Sequence, residues 1–261
     1  MEKKKAWRWR WVWIIGFIVL IIFVLVLLIR KMSRPRFLLV TIETRDNNVI
    51  RVHNENIQSY SNRYGYEYVF TNQYQNPSLN LPVYWWKLQF IKDRMMAQDK
   101  RMDYIVWLDS DTIVAHDRRL EEIVQLAPKA SIFIGKDFSH DRSSQVYCAG
   151  VFMIKNNDVG KQFIDDCLSA YVNNPRCKIH GKYTLVGEWA GECYEQGVMN
   201  KLLKSKYRSE MYELSPEYVM NGPANFHGFI VHVFDNKENV FDKIHNKEIQ
   251  LPSFSPLGWD L

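Results

Sequence analysis

Two aspartates one residue apart, Asp109 and Asp111, end the apolar run Tyr104–Leu108 in the stretch DYIVWLDSDTIV. An unpaired carboxylate is costly in a low-dielectric interior, and two negative side chains at i and i+2 of an extended chain point the same way and repel. We therefore expect a positive partner: a basic side chain, a helix N-terminus or a divalent cation. Together with Ser110, the pair could hold Mg²⁺ or Mn²⁺ through its carboxylate oxygens. The simpler alternative is a surface turn, with Asp109 as a cap and Asp111 solvated.

The pair lies among strand-like segments that alternate with helix-like segments. Apolar, β-branched or aromatic runs predict strands, and helical spacing with capping residues predicts helices. Strands are expected at RFLLVTIET, YEYVF, YIVWLD, ASIFIGKD, VYCAGVFMIKN (interrupted by Gly150), MYELSPEYVMN and FIVHVFD. Helices are expected from Asn48 to Tyr64 (closed by Gly65), from Tyr84 to Ala97 (opened by Pro82), through RRLEEIVQLAP, from Asn156 onward and around Glu195 to Leu203.

This alternation predicts an α/β domain over residues 37–261, with a mostly parallel sheet flanked by helices. In such sheets ligands bind beyond the carboxyl ends of the strands, at a switch in strand order. Asp109 and Asp111 lie at the carboxyl end of the most apolar strand. Their position therefore agrees with their chemistry.

The residues before this domain are typical of a membrane anchor. Trp11 to Ile29 is an unbroken run of 19 uncharged residues, close to the ~20 that cross a bilayer as a helix. Residues 1–10 form a basic tail and residues 30–36 a basic linker, so the positive-inside rule separates the two orientations only weakly. We expect a signal anchor that places the domain in a secretory-pathway lumen. A cytosolic domain on the same tether is the alternative.

Charge and cysteine usage exclude two further classes of function. Up to Arg36 the chain has nine Lys/Arg and one acid, whereas the remaining 225 residues hold 25 basic and 28 acidic residues. A nucleic-acid role needs a basic face on the folded domain, and this composition offers none. The four cysteines match no zinc module, and disulfide pairing would leave three connectivities open. These cysteines are Cys148, Cys167, Cys177 and Cys193.

Four blocks of the sequence carry a family resemblance. YWWKLQFIKDRM…MDYIVWLDSDTIV looks like the nucleotide-sugar site of membrane-anchored GT-A glycosyltransferases, and CAGVFMIKN resembles the segment that follows it. CYEQGVMNKLL is similar to their acceptor-side helix and GFIVHVF to their closing histidine strand. The combination most resembles glycosyltransferase family 34, the retaining α-galactosyl-, α-mannosyl- and α-xylosyltransferases of the Golgi. YEQG replaces a more acidic run that is common in that family.

The resemblance implies a GT-A fold and transfer of a hexose or pentose from a nucleoside diphosphate sugar to a glycan or glycoprotein, with retention. A uridine-linked donor is favoured, and guanosine-linked mannose is the main rival. The implied cofactor is Mn²⁺ or Mg²⁺. Asp109 would face the donor ribose and the metal, Asp111 would be the main carboxylate ligand, and His232 would be the imidazole ligand. Imidazole with carboxylates suits Mn²⁺ better than an all-oxygen site does.

The resemblance also assigns the reacting centre and the donor-binding residues. Gln196 would lie near the reacting sugar carbon and Glu195 near the acceptor hydroxyl, although an acid in the first turn of a helix is favoured by the dipole anyway. The expected donor-binding residues are Thr41, Glu43, Thr44, Lys87, Asp109, Ser110, Asp111 and Gly150. Lys87 would reach phosphate or lie on the exposed side of its helix. Trp85 and Trp86 are expected in the core.

Two other classes of protein remain open. A haloacid-dehalogenase-like phosphatase also places a DxD after an apolar strand, but it wants Thr or Val four residues after the first Asp, where this chain has Ile113. A membrane-anchored binding domain with a degenerate site is the non-enzymatic alternative. Intact Asp109, Asp111 and His232 argue against it. A lone histidine is more often a packed residue, as we expect for His53 and His180.

Overall fold

The computed structural model describes residues 13, 16–24, 34–72, 74, 80–97, 102–137, 145–222, 226–234 and 236–251. The chain divides into two units, Met1–Pro35 and Arg36–Leu261. In the first unit, residues 16–24 are helical and their apolar side chains are exposed. Within the described part of the chain, no helix has the length and apolar character needed to span a membrane. The rest of the predicted anchor at 11–29, and the predicted tail at 1–10, lie outside the described residues apart from Trp13.

The second unit is a mixed α/β domain. Its helices are α1 (Asn48–Tyr64), α2 (Val83–Met96), α3 (Leu120–Leu126), α4 (Asp158–Val172), α5 (Glu195–Leu203) and α6 (Lys237–His245), with a short 3-10 helix at Pro175–Cys177. Its strands are β1 (Phe37–Ile42), β2 (Glu67–Thr71), β3 (Tyr104–Leu108), β4 (Thr112–Val114), β5 (Ile132–Lys136), β6 (Tyr147–Lys155), β7 (Lys178–Ile179), β8 (Lys182–Tyr183), β9 (Met211–Leu214), β10 (Val219–Asn221) and β11 (Ile230–His232).

The main sheet has six strands in the order β2-β1-β3-β6-β5-β9. β1 pairs in parallel with β2 and β3, and β5 pairs in parallel with β9, whereas β6 runs antiparallel to both of its neighbours. A smaller sheet has the order β10-β11-β4, with β4 antiparallel to β11. The predicted mostly parallel sheet is therefore present, with one reversed strand at its centre.

Most predicted elements form with nearly the expected bounds. Helix α1 begins after Asn47, whose side chain accepts a hydrogen bond from Ile50 N, and ends at Gly65, whose φ of 71° is the left-handed cap that glycine favours. Two strand predictions were wrong in detail. β6 runs unbroken through Gly150, and MYELSPEYVMN divides into β9 and β10 because the chain turns at Ser215, whose carbonyl accepts from Tyr218 N and Val219 N.

The core lies on both faces of the main sheet, because successive strand side chains alternate. Ile105 and Trp107 of β3 point to the face covered by α2, α4 and α5, whereas Val106 and Leu108 point to the face covered by α1 and α3. Trp85 is fully buried and stacks on Tyr171 at 4.2 Å between ring centroids. The expectation that Trp85 belongs to the core is confirmed.

The cysteines adopt one pairing among the described residues. Cys177 and Cys193 form a disulfide across 16 positions, and Cys148 and Cys167 are buried free thiols. The disulfide joins the 3-10 helix to the segment that enters α5. The disulfide therefore restrains the chain segment that directly precedes Glu195 and Gln196.

Candidate active site

The two aspartates lie where the chain leaves the main sheet for the smaller one. β3 ends at Leu108 and β4 begins at Thr112, so residues 109–111 form the crossing. Asp109 N donates to Gly150 O of β6 at 2.8 Å, and Val233 N donates to Asp111 O at 2.9 Å. The crossing is therefore fixed to the main sheet at one end and beside β11 at the other.

A buried polar layer behind the crossing holds β4 in place. We call Thr41, His53, Asn56 and Thr112 the inner network. His53 lies 2.9 Å from Thr41 Oγ1 through Nε2 and 2.7 Å from Thr112 O through Nδ1. Asn56 pairs with Val114 as a strand would, because its Oδ1 accepts from Val114 N and its Nδ2 donates to Val114 O. Burial lowers the pKa of His53 to about 4.

Asp109, Asp111 and His232 form a cluster suited to a metal ion. One potential ligand atom from each lies within 4.8 Å of the others. His232 Nε2 is 3.1 Å from Asp111 Oδ1 and 4.0 Å from Asp109 Oδ2. Gly150 makes room for the imidazole, since a Cβ there would come within 2.2 Å of the His232 ring. Two carboxylates and an imidazole fit Mn²⁺, and they also accept Mg²⁺.

Positive charge surrounds Asp111. Its Oδ2 accepts a hydrogen bond from Lys237 Nζ at 2.9 Å. Burial acts to raise the pKa of Asp111, but His232 and Lys237 outweigh burial and hold that pKa well below its ordinary value. Burial likewise acts to lower the pKa of His232, and Asp111 outweighs it and raises the pKa. These neighbouring positive groups keep Asp111 ionised.

Lys87 joins Asp109 to Glu195. Its Nζ is 3.1 Å from Asp109 Oδ1 and 3.1 Å from Glu195 Oε1, and its side chain is 7% exposed. Burial acts to lower the pKa of Lys87, but the two carboxylates outweigh it and raise the pKa. Lys87 is thus a buried cation, and the alternative that it lies on the exposed side of its helix was wrong. We call Asp109, Asp111, His232, Lys87 and Glu195 the cleft floor.

Glu195 and Gln196 occupy the first turn of α5 and are both buried. Glu195 Oε1 contacts Lys87, and its buried Oε2 has no hydrogen-bond partner within the described ranges. Burial raises the pKa of the Glu195 carboxyl, while Lys87 acts to lower it. Gln196 Oε1 accepts from Ala149 N at 3.0 Å, which fixes its amide beside Gly150. Glu195 is therefore held as a buried carboxylate beside Lys87.

Glu43 lies beside the crossing and bonds to Ser110. Its Oε2 accepts from Ser110 Oγ at 2.7 Å and from Arg45 Nη2 at 2.7 Å. Burial acts to raise the pKa of Glu43, but hydrogen bonds from Arg45 and Ser110 outweigh it and lower the pKa to about 2. This charged group sits beside the aspartates, at the end of β1.

These side chains line a cleft of about 660 Å³, within the ~300–1,000 Å³ of small-molecule sites. Apart from Thr41, every predicted site residue lines it. Thr41 is fully buried, donates to Leu108 O at 2.9 Å and does not line the cleft, which disagrees with its predicted place beside the donor. Leu39 and Thr41 share the face of β1 that points to α1, and this alternation was readable from the sequence.

Several cleft residues were not anticipated from the sequence. Lys237 approaches Asp111 from 126 positions away, a distance that local patterns do not encode. Arg45 follows a predicted residue by one position, and Tyr84 precedes Lys87 by one helical turn, so spacing could have indicated both. The unanticipated lining residues are Ile42, Arg45, Val83, Tyr84, Trp107, Asp137, Cys148, Ala149, Trp189, Phe234 and Lys237.

The model of the galactosyl transferase GMA12/MNN10 family matches residues 23–131. The matched part is less than half of the 261 residues. It includes Asp109 and Asp111, whereas Glu195, Gln196 and His232 lie beyond it. The match bears out the predicted family over that part of the chain. No curated protein matches the chain.

Solved structures also resemble this chain. A glycosyltransferase involved in the glycosylation of the major capsid of PBCV-1 has a TM-score of 0.59 and 13% identity, over 82% of this chain and 100% of its own. The apo-form glycosyltransferase GlyE of Streptococcus pneumoniae TIGR4 has a TM-score of 0.48 and 13% identity, over 84% of this chain and 66% of its own. The first likeness shows the fold alone. We draw nothing from the second.

Proposed function

We propose that this chain, a glycosyltransferase by its match with the galactosyl transferase GMA12/MNN10 family, transfers a hexose or pentose from a nucleoside diphosphate sugar to a glycan with a divalent cation. The observation that carries the proposal is the cluster of Asp109, Asp111 and His232 beside Lys87, Glu195 and Gln196 in one cleft. The proposal includes the GT-A form of the α/β fold.

The chemistry of the donor set supports a cation at this cluster. Asp109, Asp111 and His232 would hold it, and a bound Mn²⁺ or Mg²⁺ would supply Lewis-acid stabilisation of the leaving diphosphate. Gly150 supports the same assignment, because any larger residue would push the imidazole of His232 away. Cys148 Sγ and Asn221 Oδ1 lie 3.4 and 3.2 Å from His232 Nδ1, which fixes the ring so that Nε2 faces the aspartates.

The transfer breaks the bond between the anomeric carbon and a phosphate oxygen, and the electron pair leaves with the nucleoside diphosphate. The acceptor hydroxyl oxygen forms the new bond, and its proton leaves with the released diphosphate. In this reaction the carboxylate of Glu195, which lines the cleft, accepts a hydrogen bond from the acceptor hydroxyl, and Lys87 keeps Glu195 and Asp109 from repelling each other. The bond from Ala149 N to Gln196 Oε1 supports the proposed role of Gln196 beside the reacting carbon.

We further propose retention of the anomeric configuration, a uridine-linked donor and a glycan or glycoprotein acceptor. These follow from the resemblance to family 34. Guanosine-linked mannose is the rival donor. NMR of the fresh product, taken before any workup, tests retention, and a β-linked product from an α-linked donor would contradict it.

We also propose that a membrane anchor at Trp11–Ile29 holds the domain in the lumen of the secretory pathway. The 19 uncharged residues and the disulfide between Cys177 and Cys193 support this placement, because disulfides persist in oxidising compartments. Protease protection on intact microsomes tests it: a lumenal domain survives until detergent is added. Digestion without detergent would place the domain in the cytosol.

The test of function uses the full chain, purified in a detergent without a sugar head group. Uridine- and guanosine-linked sugars are screened for nucleotide release with Mn²⁺, with Mg²⁺ and with a chelator. We expect cation-dependent release from one donor, which a glycan acceptor accelerates. Phosphate release from p-nitrophenyl phosphate would instead favour the phosphatase. If neither nucleotide release nor phosphate release is seen with either cation, the result would favour the non-enzymatic binding domain.

A further inference from the structure

Three aromatic rings form a cluster where the cleft opens to solvent. Tyr84 and Trp189 are 5.4 Å apart between ring centroids, Trp189 and Tyr194 are 5.1 Å apart, and Tyr84 and Tyr194 are 5.9 Å apart. Trp189 remains 61% exposed and Tyr84 36% exposed, and both line the cleft. We call these three residues the aromatic platform. Core packing does not explain them, because the largest ring is the most exposed.

The segment that carries Trp189 has a defined backbone. Ala190 has a φ of 59°, in the left-handed region that disfavours side chains other than glycine. Gly191 N donates to Glu188 O, and Tyr194 N donates to Gly191 O, both at 3.0 Å. The disulfide of Cys193 and the bond from Trp85 Nε1 to Cys193 O at 3.1 Å hold the end of the segment against the core. The exposed indole is thus presented by a fixed loop.

The aromatic platform adjoins the acceptor side of the cleft floor. Tyr194 directly precedes Glu195, and Tyr84 lies one helical turn before Lys87, which contacts Glu195. The nucleotide side is carried by other elements, since Glu43 at the end of β1 bonds to Ser110. Glu195, Tyr84 and Trp189 line the same cleft, so a molecule that places a hydroxyl on Glu195 has its remaining atoms within reach of these rings.

We propose that the aromatic platform binds a sugar ring of the acceptor, with Trp189 as the main contact. A pyranose has an apolar face of C–H groups that packs on an aromatic ring, while its hydroxyls stay free for polar partners such as Glu195. Trp combines a large apolar area with low conformational cost. This inference rests on the proposed function, because it deepens the acceptor site of that reaction.

Binding is tested without catalysis on the full chain labelled with fluorotryptophan, again in a detergent without a sugar head group. The W189F variant identifies the Trp189 fluorine signal among those of the nine tryptophans. Mannobiose, N-acetyllactosamine and cellotetraose are titrated separately. We expect one of them to shift the Trp189 signal. If the Trp189 signal shifts only with uridine diphosphate, Trp189 contacts the nucleotide base and the proposal is overturned. If it shifts only with phosphatidylcholine vesicles, Trp189 contacts the membrane and the proposal is likewise overturned.

Kinetics then separates this site from the proposed function. In W189A we expect the KM for the responding glycan to rise about tenfold, a larger change than any change in kcat. W189F should keep part of the affinity. M96A, an exposed apolar residue at the far end of α2, is the matched control. An unchanged KM in W189A would overturn the platform alone. Absence of donor hydrolysis in the unmodified chain would overturn the proposed function. The fluorine titration would still show whether the aromatic platform binds a glycan.

Discussion

The cleft floor and the inner network are two buried polar clusters that meet at the same short strand, β4. The cleft floor is made of charged side chains: Asp111 directly precedes β4, and His232 of β11 pairs with Thr112 of β4. The inner network is made of neutral groups, and it holds the other side of β4 through His53 and Asn56. The cleft floor presents clustered carboxylates to a cleft, whereas the inner network forms its hydrogen bonds within itself and with the backbone of Leu108 and Val114.

The two histidines show what this difference means. Burial acts to lower the pKa of both rings. His53 faces hydroxyl and carbonyl oxygens, and its pKa falls to about 4. His232 faces Asp111, and its pKa rises. Burial alone therefore does not identify a functional histidine, whereas a buried carboxylate in hydrogen-bond reach does. We expect substitutions in the cleft floor to reduce activity as well as stability, and substitutions in the inner network to reduce stability only.

The largest effect is expected from Lys87, which neutralises two carboxylates of the cleft floor. K87M would leave Asp109 and Glu195 without their shared cation, and losing one partner of a buried pair costs about 3–5 kcal/mol. Lys92 on the same helix makes a 2.7 Å pair with Asp165, but both side chains are over two-fifths exposed, and such pairs contribute about 0–1 kcal/mol. Urea unfolding of the two variants measures the contrast.

Similar losses in K87M and K92M would contradict a desolvated cleft floor. A second variant strengthens the test: K87M combined with E195M should recover part of the stability, because removing both partners of a buried pair costs less than removing one. If K87M and the double variant lose the same free energy, Glu195 does not depend on Lys87.

The next effect concerns catalysis. D111N keeps the shape of the side chain but removes the charge that Lys237 and His232 surround. We expect nucleotide release with Mn²⁺ to fall by about a hundred- to a thousandfold, the usual loss when one electrostatic contributor to a transition state is removed. Mn²⁺ binding, followed by electron paramagnetic resonance, should weaken in parallel. D117N at the surface pair with Arg63 is the control and should retain both.

An active D111N would mean that the metal cluster is not part of the reaction. Normal Mn²⁺ binding with lost turnover would instead assign Asp111 to the substrate. The first result would remove the distinction between the two clusters, because the cleft floor would then be a structural polar layer like the inner network.

A smaller effect tests the space that Gly150 provides. In G150A the new Cβ would come within 2.2 Å of the His232 ring, so the imidazole must move. We expect Mn²⁺ affinity to fall by about 10- to 100-fold, which is typical when the support of a metal ligand is disturbed. M96A, at an exposed residue outside the cleft, is the control. Unchanged Mn²⁺ affinity in G150A would show that His232 is not a ligand.

The sequence predicted the part of this arrangement that local patterns encode. The caps Asn47 and Gly65 bound α1, and the apolar run Tyr104–Leu108 placed Asp109 and Asp111 at a strand end. The predicted family and enzyme class were confirmed, the family over residues 23–131. The exposure of Trp189 and the approach of Lys237 to Asp111 depend on how distant segments pack, and no periodicity carries that information.

Thr41 shows a different limit. Its position after an apolar strand is the position of a ligand-binding residue, but the alternation of β1 turns its side chain toward α1. Glu43, two positions later, lines the cleft because the chain has left the strand by then. Position along the sequence therefore predicted the edge of the sheet, and the alternation of β1 places the Thr41 side chain on the face that α1 covers.

The smallest effect distinguishes the two histidines by pH. The pKa of His53 is lowered from 6.5 to about 4 on folding, so the unfolded chain binds its proton first as pH falls. The stability that His53 contributes is present above pH 6.5 and is lost as pH falls toward 4. Between about pH 7 and about pH 5.5 this loss amounts to about 1 kcal/mol.

H53Q should remove that slope. The difference in unfolding free energy between the unmodified chain and H53Q, measured at both pH values, cancels the opposite slope that the raised pKa of His232 contributes. A difference that does not change with pH would show that His53 is not desolvated and that the inner network is open to water.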